Sequence, residues 1–153
     1  MFMVEDFAES RIAEGIRRRF HIPAFRVFGP YDVVADLSAE NYEEIAAMSL
    51  KIRAMPGVLS TTTFSVVYGK SRMNSHPYAF ALLNCLHQKS EEEIVATTDA
   101  LFALEEVTKA DSVLGIYDIV LEICTKTPEE LSELLNQIKQ THGVRTMTMI
   151  VHP

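Results

Sequence analysis

The sequence is poor in the features that most directly announce a function. It has two cysteines, Cys85 and Cys124, both in otherwise apolar stretches. They read as buried thiols rather than a disulfide, which points to a reducing compartment. No apolar run approaches the ~20 residues of a membrane span, and the start carries no signal-peptide pattern. The expectation is a cytoplasmic protein with no membrane partner. Basic residues are outnumbered, 14 Lys and Arg against 21 Asp and Glu, for a formal net charge of −7. Phosphate binding rests on clustered Lys and Arg, so no direct nucleic-acid partner is expected. The one basic run, Arg17–Arg18–Arg19, reads either as a local phosphate contact or as the solvated last turn of a helix, where cations favour the carbonyl end. Glycine-rich phosphate loops are missing. The histidines His21, His76, His87, His142 and His152 show no ligand spacing, so neither a metal nor a cofactor is expected. Cys85 has His87 two residues along the same strand, the one local pairing that resembles an activated thiol; a buried Cys beside a rim His is the alternative.

What is present is a repeat. Gly29–Ile45 reads GPYDVVADLSAENYEEI and Gly115–Leu131 reads GIYDIVLEICTKTPEEL; shifted by 86 residues, the two align without a gap. Matches extend from Val27/Val113 through Tyr31/Tyr117, Asp32/Asp118 and Glu44/Glu130 to Gly57/Gly143 and Thr62/Thr148. At 153 residues the chain could be one domain or two small ones, and the repeat argues for a tandem. A chain of this length buries roughly 68–70% of its unfolded surface, so a core is available.

Each half predicts the same elements. Ile22–Phe28 and Ala110–Leu114 read as strands leading into a Gly-x-Tyr-Asp turn, followed by strands over Tyr31–Leu37 and Tyr117–Ile123. Asn41 with Glu44, and Thr127 with Glu130, have capping-box spacing, and Pro128 suits a first helical position. Leu131, Leu134, Leu135 and Ile138 make an apolar helical stripe; Ile45, Met48, Ile52 and Met55 make a looser one. Gly57 and Gly143 are placed to stop these helices in the left-handed conformation. A closing strand follows each, VLSTTTFSVVY from Val58 and VRTMTMIVH from Val144. Upstream lie a strand over Tyr78–His87, a capping box at Ser90–Glu93 with its helix, and an earlier helix around DFAESRIAEGIRRRF.

The second half is therefore β-α-β-β-α-β, the split βαβ or ferredoxin-like order. The first half lacks most of its first strand, with Met1–Val4 available as a stub; otherwise part of Ser71–Tyr78 or a second chain would fill that slot. The expected organisation is an α+β chain with a first unit over residues 1–70, a linker at 71–77 within the polar stretch GKSRMNSHP, and a complete second unit over 78–153.

A βαββαβ unit with Gly-x-Tyr-Asp, a helix, Gly-Val and a Thr-alternating strand resembles the effector-binding (RAM) domain of the Lrp/AsnC regulators. The resemblance covers Tyr78–Pro153 whole and the first unit from about Glu5 to Tyr68. It implies dimeric α+β barrel-like packing of sheets, further oligomerisation, and a small effector, commonly an amino acid. It assigns to the effector region Gly29 and Asp32 with Ser60 and Thr62, and Gly115 and Asp118 with Thr146 and Thr148. No helix-turn-helix precedes the repeat, so a stand-alone duplicated RAM protein without direct DNA binding is expected.

The residue types suit such a ligand. An aspartate can accept from an ammonium in a charge-assisted bond. Backbone N–H groups beside a glycine, and Ser or Thr hydroxyls, can hold a carboxylate. The same residues also have structural readings: Asp32 and Asp118 as turn residues bonding backbone N–H groups, Thr and Ser as ordinary strand residues, and Tyr31 and Tyr117 as packing anchors. Linking two units in one chain raises their effective concentration to ~mM for a short linker. The sequence thus points to amino-acid sensing coupled to assembly, with no catalytic residues. Its rivals are a ligand-free module docking onto full-length Lrp/AsnC regulators and a small dimeric α+β barrel enzyme.

Overall fold

A computed structural model describes residues 1–5, 8–72, 76–87 and 89–152. The chain forms two compact units, residues 1–63 with 151–153 and residues 64–150.

The first unit runs β1 (Phe2–Val4), α1 (Glu9–Phe20), β2 (Ala24–Phe28), β3 (Val33–Ala35), α2 (Tyr42–Arg53) and β4 (Val58–Thr61). Its strands pair antiparallel in the order β4-β1-β3-β2. The three residues of β1 fill the central slot that the sequence left short. Phe2 and Val4 point into a core with Ile12 and Ile16 of α1, Val33 of β3 and Ile52 of α2. Arg17–Arg19 form the basic last turn of α1, and Arg17 also donates to the carbonyl of Ala24 at 3.2 Å. The carboxamide oxygen of Asn41 accepts from the Glu44 amide at 2.9 Å, starting α2 as the spacing predicts. The stop differs. α2 ends at Ala54 in right-handed conformation, and Gly57, at φ 94°, lies in the turn beyond it.

The second unit begins with β5 (Ser65–Ser71) and continues β6 (Ala79–Cys85), α3 (Glu91–Phe102), β7 (Val107–Leu114), β8 (Ile119–Ile123), α4 (Pro128–His142) and β9 (Val144–Val151). Its antiparallel order is β9-β6-β8-β7-β5. The four strands from β6 to β9 have the ferredoxin-like arrangement, with β6 central as its continuous apolar run AFALL requires. Helices α3 and α4 cover one face, where Leu101, Leu131, Leu134 and Ile138 pack on Ala81, Leu83, Ile119 and Leu121. Each of these leucines and isoleucines stabilises the fold by roughly 1.5–3 kcal/mol through burial. Local chemistry sets the helix ends. Ser90 and Glu93 exchange both bonds of a capping box, the Thr127 hydroxyl accepts from the Glu130 amide, and Gly143 closes α4 at φ 58°.

The stretch from Val58 to Tyr68 reads as one strand but forms two. β4 pairs with β1, whereas β5 pairs with β7 and belongs to the second unit. The division between units accordingly falls between Thr63 and Phe64, and Ser71 of the expected 71–77 linker ends a strand. Residues 73–75 of that linker lie outside the described residues. Arg72 donates to the carbonyls of Phe102 (2.7 Å), Leu104 (3.2 Å) and Val107, and its guanidinium lies over the Phe102 ring. It fastens the strand end to the α3–β7 turn.

Candidate functional site

The two Gly-x-Tyr-Asp turns have one design. Gly29 and Gly115 take φ of 156° and 150°, where a side chain is strained. At Gly115 a Cβ would also come within 2.9 Å of the Phe64 ring. Three residues on, each aspartate splices three strands. The Asp118 amide donates to the Leu83 carbonyl at 2.9 Å, its carbonyl accepts from Val113 at 2.9 Å, and its Oδ2 accepts from the Cys85 amide at 2.7 Å. Asp32 repeats this with Phe2 (2.8 Å), Val27 (2.9 Å) and the Val4 amide on Oδ2 (2.9 Å). Both carboxylates are half-buried, and each holds the end of a strand, β1 for Asp32 and β6 for Asp118. The partner amides lie on another strand, not in the turn itself.

The hydroxyl residues are distributed differently. Thr146 opposes Leu83 and Thr148 opposes Ala81, so both stand, half-buried, on the helix-packed face of the second sheet. Leu83 also opposes Ile119, which places Thr146 two strand spacings from the start of β8, roughly 9–10 Å. In the first unit the register slips between Met3 and Val4: Val4 opposes Val58, but Met3 opposes Ser60. The extra residue turns Ser60 to the face opposite Phe2 and Val4. Thr62, whose amide donates to the Met1 carbonyl at 2.8 Å, follows beyond the end of β4. The matched sequence positions are therefore not matched in space. Each glycine–aspartate pair comes together in its turn; the hydroxyl pairs lie across β1 or β6 from it.

Further side chains support the second turn and the end of α4. The Asn84 amide donates to the Ile116 carbonyl at 2.6 Å. Tyr117 meets Phe64 edge-on at 5.8 Å, and its hydroxyl points to the Met147 sulfur at 3.3 Å, which favours its packing role. Lys89 donates to the Thr97 hydroxyl at 3.1 Å and reaches the His142 carbonyl at the end of α4. No local pattern marks Asn84, whose partner is 32 residues away, or Lys89, whose partners are 8 and 53 residues away.

The cysteine expectation is corrected: Cys124 is exposed and Cys85 half-buried. Burial pushes the Cys85 thiol up; Lys89 opposes this, while the nearby Asp118 carboxylate and its hydrogen bond add to it. Nucleophilic cysteines need the reverse shift. His87 is exposed. Among the described residues no group of three or more His, Cys, Asp or Glu side chains is placed to hold a metal ion, and no helix is long and apolar enough to cross a membrane. A shallow open depression on α3, lined by Glu91, Glu92, Val95, Ala96 and Asp99, includes none of the expected site residues.

The unit that carries Asp118 is similar to a known family. Residues 78–152 match the Lrp/AsnC ligand binding domain. The match spans the βαββαβ part of the second unit, from just before β6 to just after β9. The second unit is thus similar, in sequence and in order of elements, to an Lrp/AsnC ligand binding domain. Residues 1–77 lie outside the matched range. No curated protein and no solved structure matches the chain.

Proposed function

We propose that this protein is a small-metabolite sensor of Lrp/AsnC type, built from two RAM-like units, that binds an amino acid and passes its state on by assembly without reading DNA itself. The observation that carries this reading is the match of residues 78–152 to a ligand-binding family. The duplicated turn supports it. Gly115 and Asp118, and in the first unit Gly29 and Asp32, set a carboxylate beside exposed turn backbone. A free amino acid needs an anionic acceptor for its ammonium and neutral donors for its carboxylate. The turn offers the first. Thr146 and Thr148, with Ser60 and Thr62 in the other unit, are the candidate donors, approached from across β6 and β1 respectively.

The rival is a ligand-free module that assembles with itself or docks onto full-length Lrp/AsnC regulators. It is favoured by one observation: both aspartates already hold a strand amide, a purely structural duty. Thermal unfolding across the twenty amino acids at millimolar concentration separates the two. A ligand of the native state at ~100 times its Kd adds ~2.7 kcal/mol. A selective upward shift with one or two amino acids supports sensing and names the effector; a flat panel selects the interaction module.

A further inference from the structure

Helix α2 is the least covered of the four helices. Of its twelve residues only Ile52 is buried, whereas α1, α3 and α4 each bury three. A second stripe runs along its outer flank at i, i+3, i+7 and i+10, the spacing of a helix–helix seam: Glu43, Ala46, Leu50 and Arg53. Glu43, Leu50 and Arg53 are exposed, Leu50 at 65%, and Ala46 is half-buried. None of the ion pairs found among the described residues uses Glu43 or Arg53.

The stripe is self-complementary. When two copies of α2 run antiparallel about a twofold axis level with Met48 and passing through the outer stripe, Glu43 of each faces Arg53 of the other. Leu50 then lies over Ala46, a large side chain above a small one. Every contact occurs twice, as an isologous interface demands. The acidic first turn and basic last turn also meet with opposite macrodipole ends adjacent. We propose that α2 is a homodimerisation surface, its occupant the α2 helix of a second copy of this chain. The proposal rests on the assembly half of the functional reading and not on effector binding.

Sedimentation equilibrium of the full chain over a wide concentration range tests it. The native protein associates reversibly. Glu43→Arg and Arg53→Glu each weaken association by about tenfold or more, since two cross-dimer pairs are lost and replaced by repulsion. The double swap Glu43→Arg/Arg53→Glu restores association, because each new arginine again faces a glutamate. Circular dichroism checks that these surface variants keep the native fold. A native chain that is monomeric throughout overturns the proposal. So does association insensitive to either single reversal, or a double swap that fails to rescue. Effector binding is read separately by thermal shift of the native chain, and a flat amino-acid panel with association intact strikes the sensing reading and not this surface.

Discussion

Replacing Asp118 by alanine tests the central claim about the turn. The lost contact is a 2.7 Å bond from the half-buried Cys85 amide to a carboxylate oxygen. A hydrogen bond to a charged group contributes about 1.5–3 kcal/mol, and an amide left unpaired costs about 1–3 kcal/mol in desolvation. These overlap rather than add, so Asp118→Ala should lower the stability of the second unit by about 2 kcal/mol. That is a large share of the ~5–15 kcal/mol that a folded protein holds. Asp118→Asn keeps an acceptor oxygen and should cost less than about 1 kcal/mol. Because the chain has two compact units, the Cys85 amide itself is the best reporter. Its hydrogen exchange should speed up by about 30-fold in the alanine variant, each ~1.4 kcal/mol being tenfold. Urea unfolding followed by far-ultraviolet circular dichroism gives the total, since the chain has no tryptophan. A change below about 0.5 kcal/mol with unaltered exchange at Cys85 would refute the strand-splicing role. If Asp118→Asn keeps its stability but loses an amino-acid-induced shift, the charge serves the ligand and the oxygen serves the fold.

Three further outcomes are expected. Gly69→Ala should destabilise the second unit by more than about 2 kcal/mol in urea titration, because its Cβ would overlap the buried Asp111 carboxylate across the β5–β7 pair; a near-neutral variant would mean that this contact yields easily. A thiol reagent should label Cys124 in a fast phase and Cys85 slowly, with Cys124→Ser removing the fast phase; equal rates would contradict the burial of Cys85. Burial, then Lys89, holds the His142 imidazole below its ordinary value of 6.5, so the unfolded state takes up this proton first and stability falls as pH drops below that value. His142→Gln should flatten that fall, and an unchanged pH profile in the variant would remove His142 as its source.

The parts legible in the sequence are those whose cause is local. The Asn41, Ser90 and Thr127 caps follow from a side chain and an amide three residues apart, and the structure shows all three bonds. Gly143 stops α4 because the next residue must turn left-handed. Gly57 did not behave alike: α2 ends earlier, at Ala54, and the glycine serves the turn that follows. The aspartates were legible as important positions but not in their partners. Val4 and Cys85 are 28 and 33 residues away, and nothing near Asp32 or Asp118 names them.

Sequence alone determined the repeated order of elements, the doubled Gly-x-Tyr-Asp turns and the resemblance to an effector-binding unit, since periodicity and spacing are properties of the chain itself. Tertiary structure decided which strands the continuous run from Val58 onward would join. Its β propensity is even throughout, so only the available partner edges, β1 for Val58–Thr61 and β7 for Ser65–Ser71, could divide it. Tertiary structure likewise turned Ser60 away from the face that Thr146 occupies. A single slipped residue between two short strands reverses the side-chain direction of all that follow, and no pattern within either strand records the slip.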